Sequence, residues 1–271
     1  MSAHTGCRLA VALALAVSSG CDISRPPNVH PDVVALAVLL VAGESEARML
    51  AIHPHRGRDD AAPDITATLE GPGWTAAFDQ TSELGACTLA GEWLGPSKCL
   101  RATLPEAIRP AGSYRLRGTA PLGAFTGKAV LPAPPHLLEP GDSLHLVLPD
   151  DDNLEIPIRY KPGPDVGTLL LEMLDFWETQ EDGSEEELPS WHYIGPVDGS
   201  GTDTVRGGGT GNPLRFSLRM LGIGWNYTDF VEHGGEDLLT LPWPESGIEG
   251  EGVYGFFDGV TPSRIARIFL W

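Results

Sequence analysis

The fold turns on residues 33–54, VVALAVLLVAGESEARMLAIHP. An apolar run, Val33–Ala42, gives way to a polar turn at Gly43–Glu46 and then to a second apolar run. A membrane helix needs about 20 apolar residues, so a run this short reads as a buried strand. The segment is expected to be a hairpin that opens a sandwich. Downstream, DITATLEGPGWTAAF (64–78) alternates: Ile65, Ala67 and Leu69 point one way, Thr66 and Thr68 the other. The GPG at Gly71–Gly73 supplies a turn, and Trp74, Ala76 and Phe78 resume the pattern. LPEAIRPAGSYRLRGTA (104–120) then reads as a turn feeding a strand through Tyr114 and Leu116, and GAFTGKAVLPAPP (123–135) closes the set. With 33 glycines, 24 prolines and few helical stretches, the chain is expected to be all-β. Several short strands within about 100 residues suggest an Ig-like or transthyretin-like sandwich over 33–132.

A proline-rich seam follows, LPAPPHLLEPGD (131–142), and the linker is placed at 133–142. Residues 143–271 are expected to form a second β-sandwich-like domain in tandem with the first. There, DSLHLVLPDDDNLEIPIRY (142–160) reads as two strands around an acidic turn, and GTLLLEMLDFWETQ (167–180) as one long strand. GPVDGSGTDTVRGGGTGN (195–212) reads as a flexible loop. In PLRFSLRMLGIGWNYTDFV (213–231), Leu214, Phe216, Leu218 and Met220 alternate with Arg215, Ser217 and Arg219, the pattern of a half-buried strand. A last strand is expected at Ile265–Trp271.

The N-terminus carries the signal for location. Arg8 precedes the apolar run LAVALALAV (9–17) and the small residues Ser18, Ser19 and Gly20, which together read as a signal peptide over 1–20. Next comes Cys21, in AVSSGCDIS (16–24), where a lipoprotein signal would be cut and the cysteine acylated. Each buried acyl CH₂ contributes about 0.8 kcal/mol, so two or three chains would hold the protein firmly. The proline-rich stretch 21–32 then serves as a tether. Cys87 and Cys99 form an even pair in an exported chain, and a disulfide between them is expected. Closing so short a loop would contribute about 2–3 kcal/mol.

Charge excludes one class of partner. Residues 21–132 hold 12 acidic and 10 basic side chains, and residues 133–271 hold 25 and 7. Such a field repels nucleic acid. No G-x-S-x-G elbow occurs, no local pattern orders a Ser-His-Asp triad, and RGGGTGN (206–212) lacks the lysine of a phosphate-binding loop. The chain is therefore read as non-enzymatic, with no catalytic residue assigned. In HPHRGRDDAAPD (53–64), His53 and His55 share a strand face, but Pro54 between them favours a solvated loop over a metal site. PDDDN (149–153) and DGSGTD (198–203) could attract Ca²⁺, yet neither has EF-hand spacing, so solubilising turns are the reading and no cofactor is assigned. The better functional lead is aromatic. Trp191, Tyr193, Trp225, Tyr227 and Trp243 are candidates to stack on a sugar ring or to form an interface, while most aromatics of this half are expected to fill the core.

Three stretches carry a resemblance: GSYRLRGTA (112–120) leading to AVLPAPP (129–135), WNYTDF (225–230), and GIEGEGVYGFF (247–257). Together with Cys21 and its leader, they resemble the uncharacterised two-part β-rich lipoproteins of Gram-negative bacteria, a domain of unknown function. Members of that family accompany outer-membrane uptake systems. The resemblance implies place and architecture: a palmitate-bearing lipoprotein of the cell envelope, anchored at the outer membrane, with an envelope protein complex as partner. The expected role is non-catalytic binding or scaffolding. Two alternatives stand beside it, a glycan-binding or glycan-cleaving module acting through the second domain and a purely structural envelope protein.

Overall fold

The computed structural model describes residues 30–54, 56–57, 59–87, 96–146, 153–175, 177–179, 185–187, 190–208, 215–232 and 246–270. The first strands are β1 (Val34–Val41), β2 (Glu46–Ile52), β3 (Thr66–Gly71), β4 (Trp74–Ala77), β5 (Gln80–Ser82), β6 (Ser97–Thr103), β7 (Ser113–Ala120) and β8 (Gly123–Val130). After them come β9 (His136–Glu139), β10 (Ser143–Leu146), β11 (Asn153–Lys161), β12 (Thr168–Leu174), β13 (Trp177–Thr179), β14 (Glu185–Glu187), β15 (Ser190–Pro196), β16 (Gly201–Gly208) and β17 (Arg215–Ile223). The chain ends with helix α1 (Trp225–Glu232), β18 (Ile248–Gly250) and β19 (Val253–Leu270). It is an all-β protein with a single helix among the described residues.

Two compact units interleave along the chain. Among the described residues, the first takes those up to Pro132 together with Gly224–Val260, and the second takes those of Ala133–Ile223 and those from Thr261 onward. The continuous second domain expected over 143–271 is thus corrected. Its segment 224–260 belongs to the first unit, because the first part of β19 pairs with β1 in register from Val34↔Val253 to Val41↔Val260. That pairing is parallel, so the partner strand has to come from a distant part of the chain rather than from a hairpin.

The first unit is a β-sandwich. One sheet runs β5-β6-β2-β1-β19 and the other β4-β3-β7-β8-β18. Val34, Leu36, Val38 and Leu40 of β1 enter the shared core with Leu69, Tyr114, Leu116, Phe125 and Phe257. The opposite face of β1 is covered over its first part: Val33 and Ala35 join Leu50, Ile52, Tyr254, Phe256 and Phe230 of α1 in a second cluster. A strand with apolar neighbours on both faces needs no polar positions, which is why this run does not alternate. Gly255 sits at φ +122, and a Cβ there would lie 1.8 Å from the Leu36 carbonyl oxygen, so the approach of β19 to β1 requires glycine. The two expected hairpins form: β1 pairs with β2, and β3 pairs with β4 around Pro72–Gly73.

In the second unit, β15, β12, β17 and the later part of β19 lie side by side, with β10 parallel to β19 at Ser143↔Arg267. A three-stranded sheet β16-β11-β9 and the small hairpin β13–β14 complete the unit. Phe216, Leu218 and Met220 alternate into its core as expected, beside Ile156, Ile158, Leu169, Leu171 and Ile268.

The two strands expected around the acidic turn form as β10 and β11, with β10 pairing with β19 and β11 with β16 and β9. Four other expectations fail. The glycine-rich loop contains β16, paired with β11 from Asn153↔Gly208 to Tyr160↔Gly201. The long strand from Thr168 stops at Asp175, whose φ of 55 turns the chain out of line. Finally, the strand through Met220 ends at Ile223 and is followed by α1, which sequence alternation gave no reason to expect. The last strand, expected from Ile265, begins as early as Val253.

Candidate binding face and the buried carboxylate behind it

The outward face of β1 is not fully covered. Beyond the helix it continues as a groove of about 410 Å³. Ala37 and Leu39 of β1 and Phe256 of β19 line it, with Glu44, Glu46 and Arg48 among its charged groups. The volume lies within the range of small-molecule sites. Glu46 is pinned between two guanidinium groups, accepting from Arg48 Nε at 2.7 Å and from Arg101 Nη1 at 3.3 Å. Arg48 also donates to the Ala86 carbonyl at 3.0 Å, holding the 3-10 turn Leu84–Ala86 against the sheet. Cys87, at the end of that turn, joins the lining. It is bonded to the buried Cys99 of β6, with Cα atoms 5.8 Å apart.

Phe256 links the groove to the helix. Tyr227 meets its ring edge-on at 5.1 Å and 79°, and Phe230 lies against it at 5.3 Å. The helix is fixed at its start by Asp258, two residues beyond Phe256 on β19. This carboxylate is 1% exposed. Its Oδ2 accepts the Tyr227 N–H at 2.8 Å and its Oδ1 accepts the Gly259 N–H at 2.7 Å. A Cβ on Gly224 would come within 2.1 Å of Oδ1, so only glycine lets the chain pass there. Asn226 ties the same turn to two strands through Nδ2, donating to the carbonyls of Lys128 at 2.9 Å and Phe257 at 2.8 Å. Burial outweighs these N–H bonds and, with the negative charge of Asp229 nearby, pushes the Asp258 carboxyl up to about 7. Burial also pushes the Tyr254 hydroxyl up.

A second polar cluster lies in the other unit. His192 of β15 meets Asp203 of β16, Nε2 to Oδ2, at 2.8 Å. Asp203 also accepts the Thr204 N–H at 2.6 Å. Burial tends to raise this carboxyl, but the His192 and Thr204 bonds prevail and hold it below the usual range. Tyr160, opposite Gly201 in the register, is raised by burial and by the charges of Asp203 and Asp198.

The aromatics singled out in the sequence are divided between the two units. Tyr193 belongs to the second unit and is 49% exposed. Trp225 and Tyr227 belong to the first, where Trp225 is 48% exposed and Tyr227 turns inward on Phe256. Trp191 is placed on β15, but its side chain lies outside the described residues, as do Trp243 and the lipidation candidate Cys21. The two acidic stretches fare similarly. Asp150–Asp152 lie outside the described residues, and Asp203 is already paired with His192. Among the described residues no group of three or more metal-ligating side chains gathers. His53 is a correction, because it is not solvated. It is buried, and its Nδ1 donates to the Val33 carbonyl at 3.1 Å. Asp258 was absent from the sequence reading, and its surroundings explain why: a lone acid among GVYGFFDGV shows neither its burial nor its helix.

No protein-family model matches the sequence, and no curated protein matches it. Among solved structures, a pullulanase of Anoxybacillus sp. LM18-11 in complex with maltotriose is 11% identical, with a TM-score of 0.21 over 69% of this chain and 24% of its own. The chain thus spans about a quarter of that protein's length. CBD12 from CALX1.2 is 8% identical, with a TM-score of 0.25 over 87% of this chain and 99% of that one. The D0–D1 domain of intimin is 10% identical, with a TM-score of 0.23 over 87% and 97%. Likenesses this distant carry no argument about what the chain does.

Proposed function

We propose that the chain is a lipid-anchored envelope lipoprotein whose folded part binds or scaffolds a partner and performs no catalysis. The observation that carries this reading is Cys21, placed directly after a short apolar leader and small residues. The family resemblance supplies the setting: the outer membrane of a Gram-negative cell and a protein complex of the envelope. On this reading the first unit is an Ig-like module held close to the membrane by the tether 21–32. Its entry is well fastened, since Asp32 is ion-paired with Arg56 and His53 holds the Val33 carbonyl. Arg56 beside Asp32 keeps that carboxyl below its usual range. The groove along β1 then offers the partner an apolar floor with charged groups at its side.

Palmitate labelling and intact mass of wild type and Cys21→Ser, expressed in a Gram-negative host, test the anchor. The expected result is a labelled, membrane-bound wild type and an unlabelled, soluble variant. An unlabelled, soluble wild type would overturn the reading. A glycan-binding module is the second reading, favoured by the exposure of Tyr193 and Trp225. It predicts that Trp225→Ala or Tyr193→Ala abolishes retention on immobilised glycan.

A further inference from the structure

We propose that the groove along β1 holds a lipid with one acyl chain and a zwitterionic head, a phosphate joined to an ammonium. The proposal rests on the reading of this groove as the binding face and names what occupies it. The groove changes character along its length. At one end three apolar side chains stand abreast in register, Phe256 of β19, Ala37 of β1 and Leu50 of β2. Alternate residues of a strand share a face, so Leu39 and Val41 continue the apolar row on β1, while Arg48 and Glu46 follow Leu50 on β2. Glu44 comes next in the turn, its N–H donating to the Val41 carbonyl at 3.1 Å. From Ala37 to Val41 the strand rises about 13 Å, enough for the body of an acyl chain to lie along it. An apolar floor that ends in charge matches an amphiphile.

The charges select the head. Glu46 is already balanced, since Arg48 and Arg101 both donate to it. Arg48 gives Nε to Glu46 and Nη1 to the Ala86 carbonyl, which leaves Nη2 without a partner among the described residues. Its side chain is half exposed. The exposed Glu44 carboxylate meets no cation among the described residues. An anionic head would gain Arg48 but face both glutamates. A cationic head would gain Glu44 but face both arginines. A phosphate on Arg48 with its ammonium on Glu44 meets each group with its opposite. The floor then supplies the affinity and the two charges the selectivity.

NMR titration of ¹⁵N-labelled Cys21→Ser, the full chain without acyl groups, with n-decylphosphocholine below its micelle-forming concentration tests this. The Ala37, Leu39 and Leu50 amide signals should shift saturably while those of β12 stay in place. Decyl sulfate, decyltrimethylammonium and decyl maltoside carry the same tail and should bind at least about tenfold more weakly. Leu39→Glu should abolish the shifts. Should that variant fail to fold, Glu44→Gln, a change on an exposed side chain, should narrow the gap between the zwitterion and decyl sulfate to within about threefold. Equal binding of all four heads, or shifts that avoid β1, would overturn the proposal. No shift with any probe would overturn it too, while the lipid anchor would still stand or fall by palmitate labelling alone.

Discussion

Asp258 and Asp203 stand in different units and meet the same kind of donor, a neighbouring backbone N–H, yet their proton affinities move in opposite directions. Asp203 sits at an edge strand, about a third exposed, with an imidazole to share its charge. Asp258 is closed off, and the charge of Asp229 repels its own. Hydrogen bonds to a carboxylate favour the charged form, but they offset desolvation only when water or a counter-charge helps. The first carboxylate is positioned to tie two strands together. The second is positioned to respond to protons.

The largest expected effect removes the second of these. Between pH 5 and 8 the wild-type protein should lose about 3 kcal/mol of stability through Asp258, because a raised carboxyl contributes most when protonated. Asp258→Asn, the isostere of the protonated acid, should match wild type near pH 5 within about 1 kcal/mol and stay level to pH 8. Urea denaturation at a series of pH values reads both curves. Parallel curves would mean that water already reaches the carboxylate.

Of the two acids, neither role was legible in the sequence, though much of the scaffold around them was. The hairpins at Gly43–Glu46 and Gly71–Gly73 follow from local turn chemistry, and the alternation from Phe216 to Met220 follows from burial on one face. Such signals are local. What the sequence hid is non-local: the parallel pairing of β1 with β19 joins segments more than two hundred residues apart, and no hairpin rule reaches that far. Helix α1 was hidden for the same reason. Its N–H at Tyr227 is satisfied by Asp258, 31 residues downstream, instead of by a capping residue just before the helix. The proline seam and the change in charge balance suggested a single boundary; the units part at Pro132 and Ala133, within that seam, but the chain also returns to the first unit at Gly224, which no local signal announced.

A tie without charge sharpens the contrast. Replacing both Cys87 and Cys99 with alanine should destabilise the protein by about 2–3 kcal/mol, equally at pH 5 and 8. The loss comes from freeing the denatured chain and so has no proton in it. Thermal unfolding at both pH values reads it. A loss confined to one pH would mean that the bridge acts through a proton-binding neighbour and not through the denatured chain.

The smallest effect belongs to Asp203. Because its carboxyl is held below the ordinary range, the pair with His192 contributes stability above about pH 4 and loses it as pH falls through the folded value. Both side chains are about one-third exposed, so solvent screens the pair and Asp203→Asn should cost no more than a few tenths of a kcal/mol near neutrality. High salt should shrink even that, since the Debye length falls to about 3 Å at 1 M. Comparing wild type and Asp203→Asn in low and high salt, at pH 3 and pH 6, isolates it: a difference is expected only at pH 6 and only in low salt. A loss of several kcal/mol that survives salt would place Asp203 with Asp258, as a carboxylate whose surroundings exclude water, and the contrast between the two units would collapse.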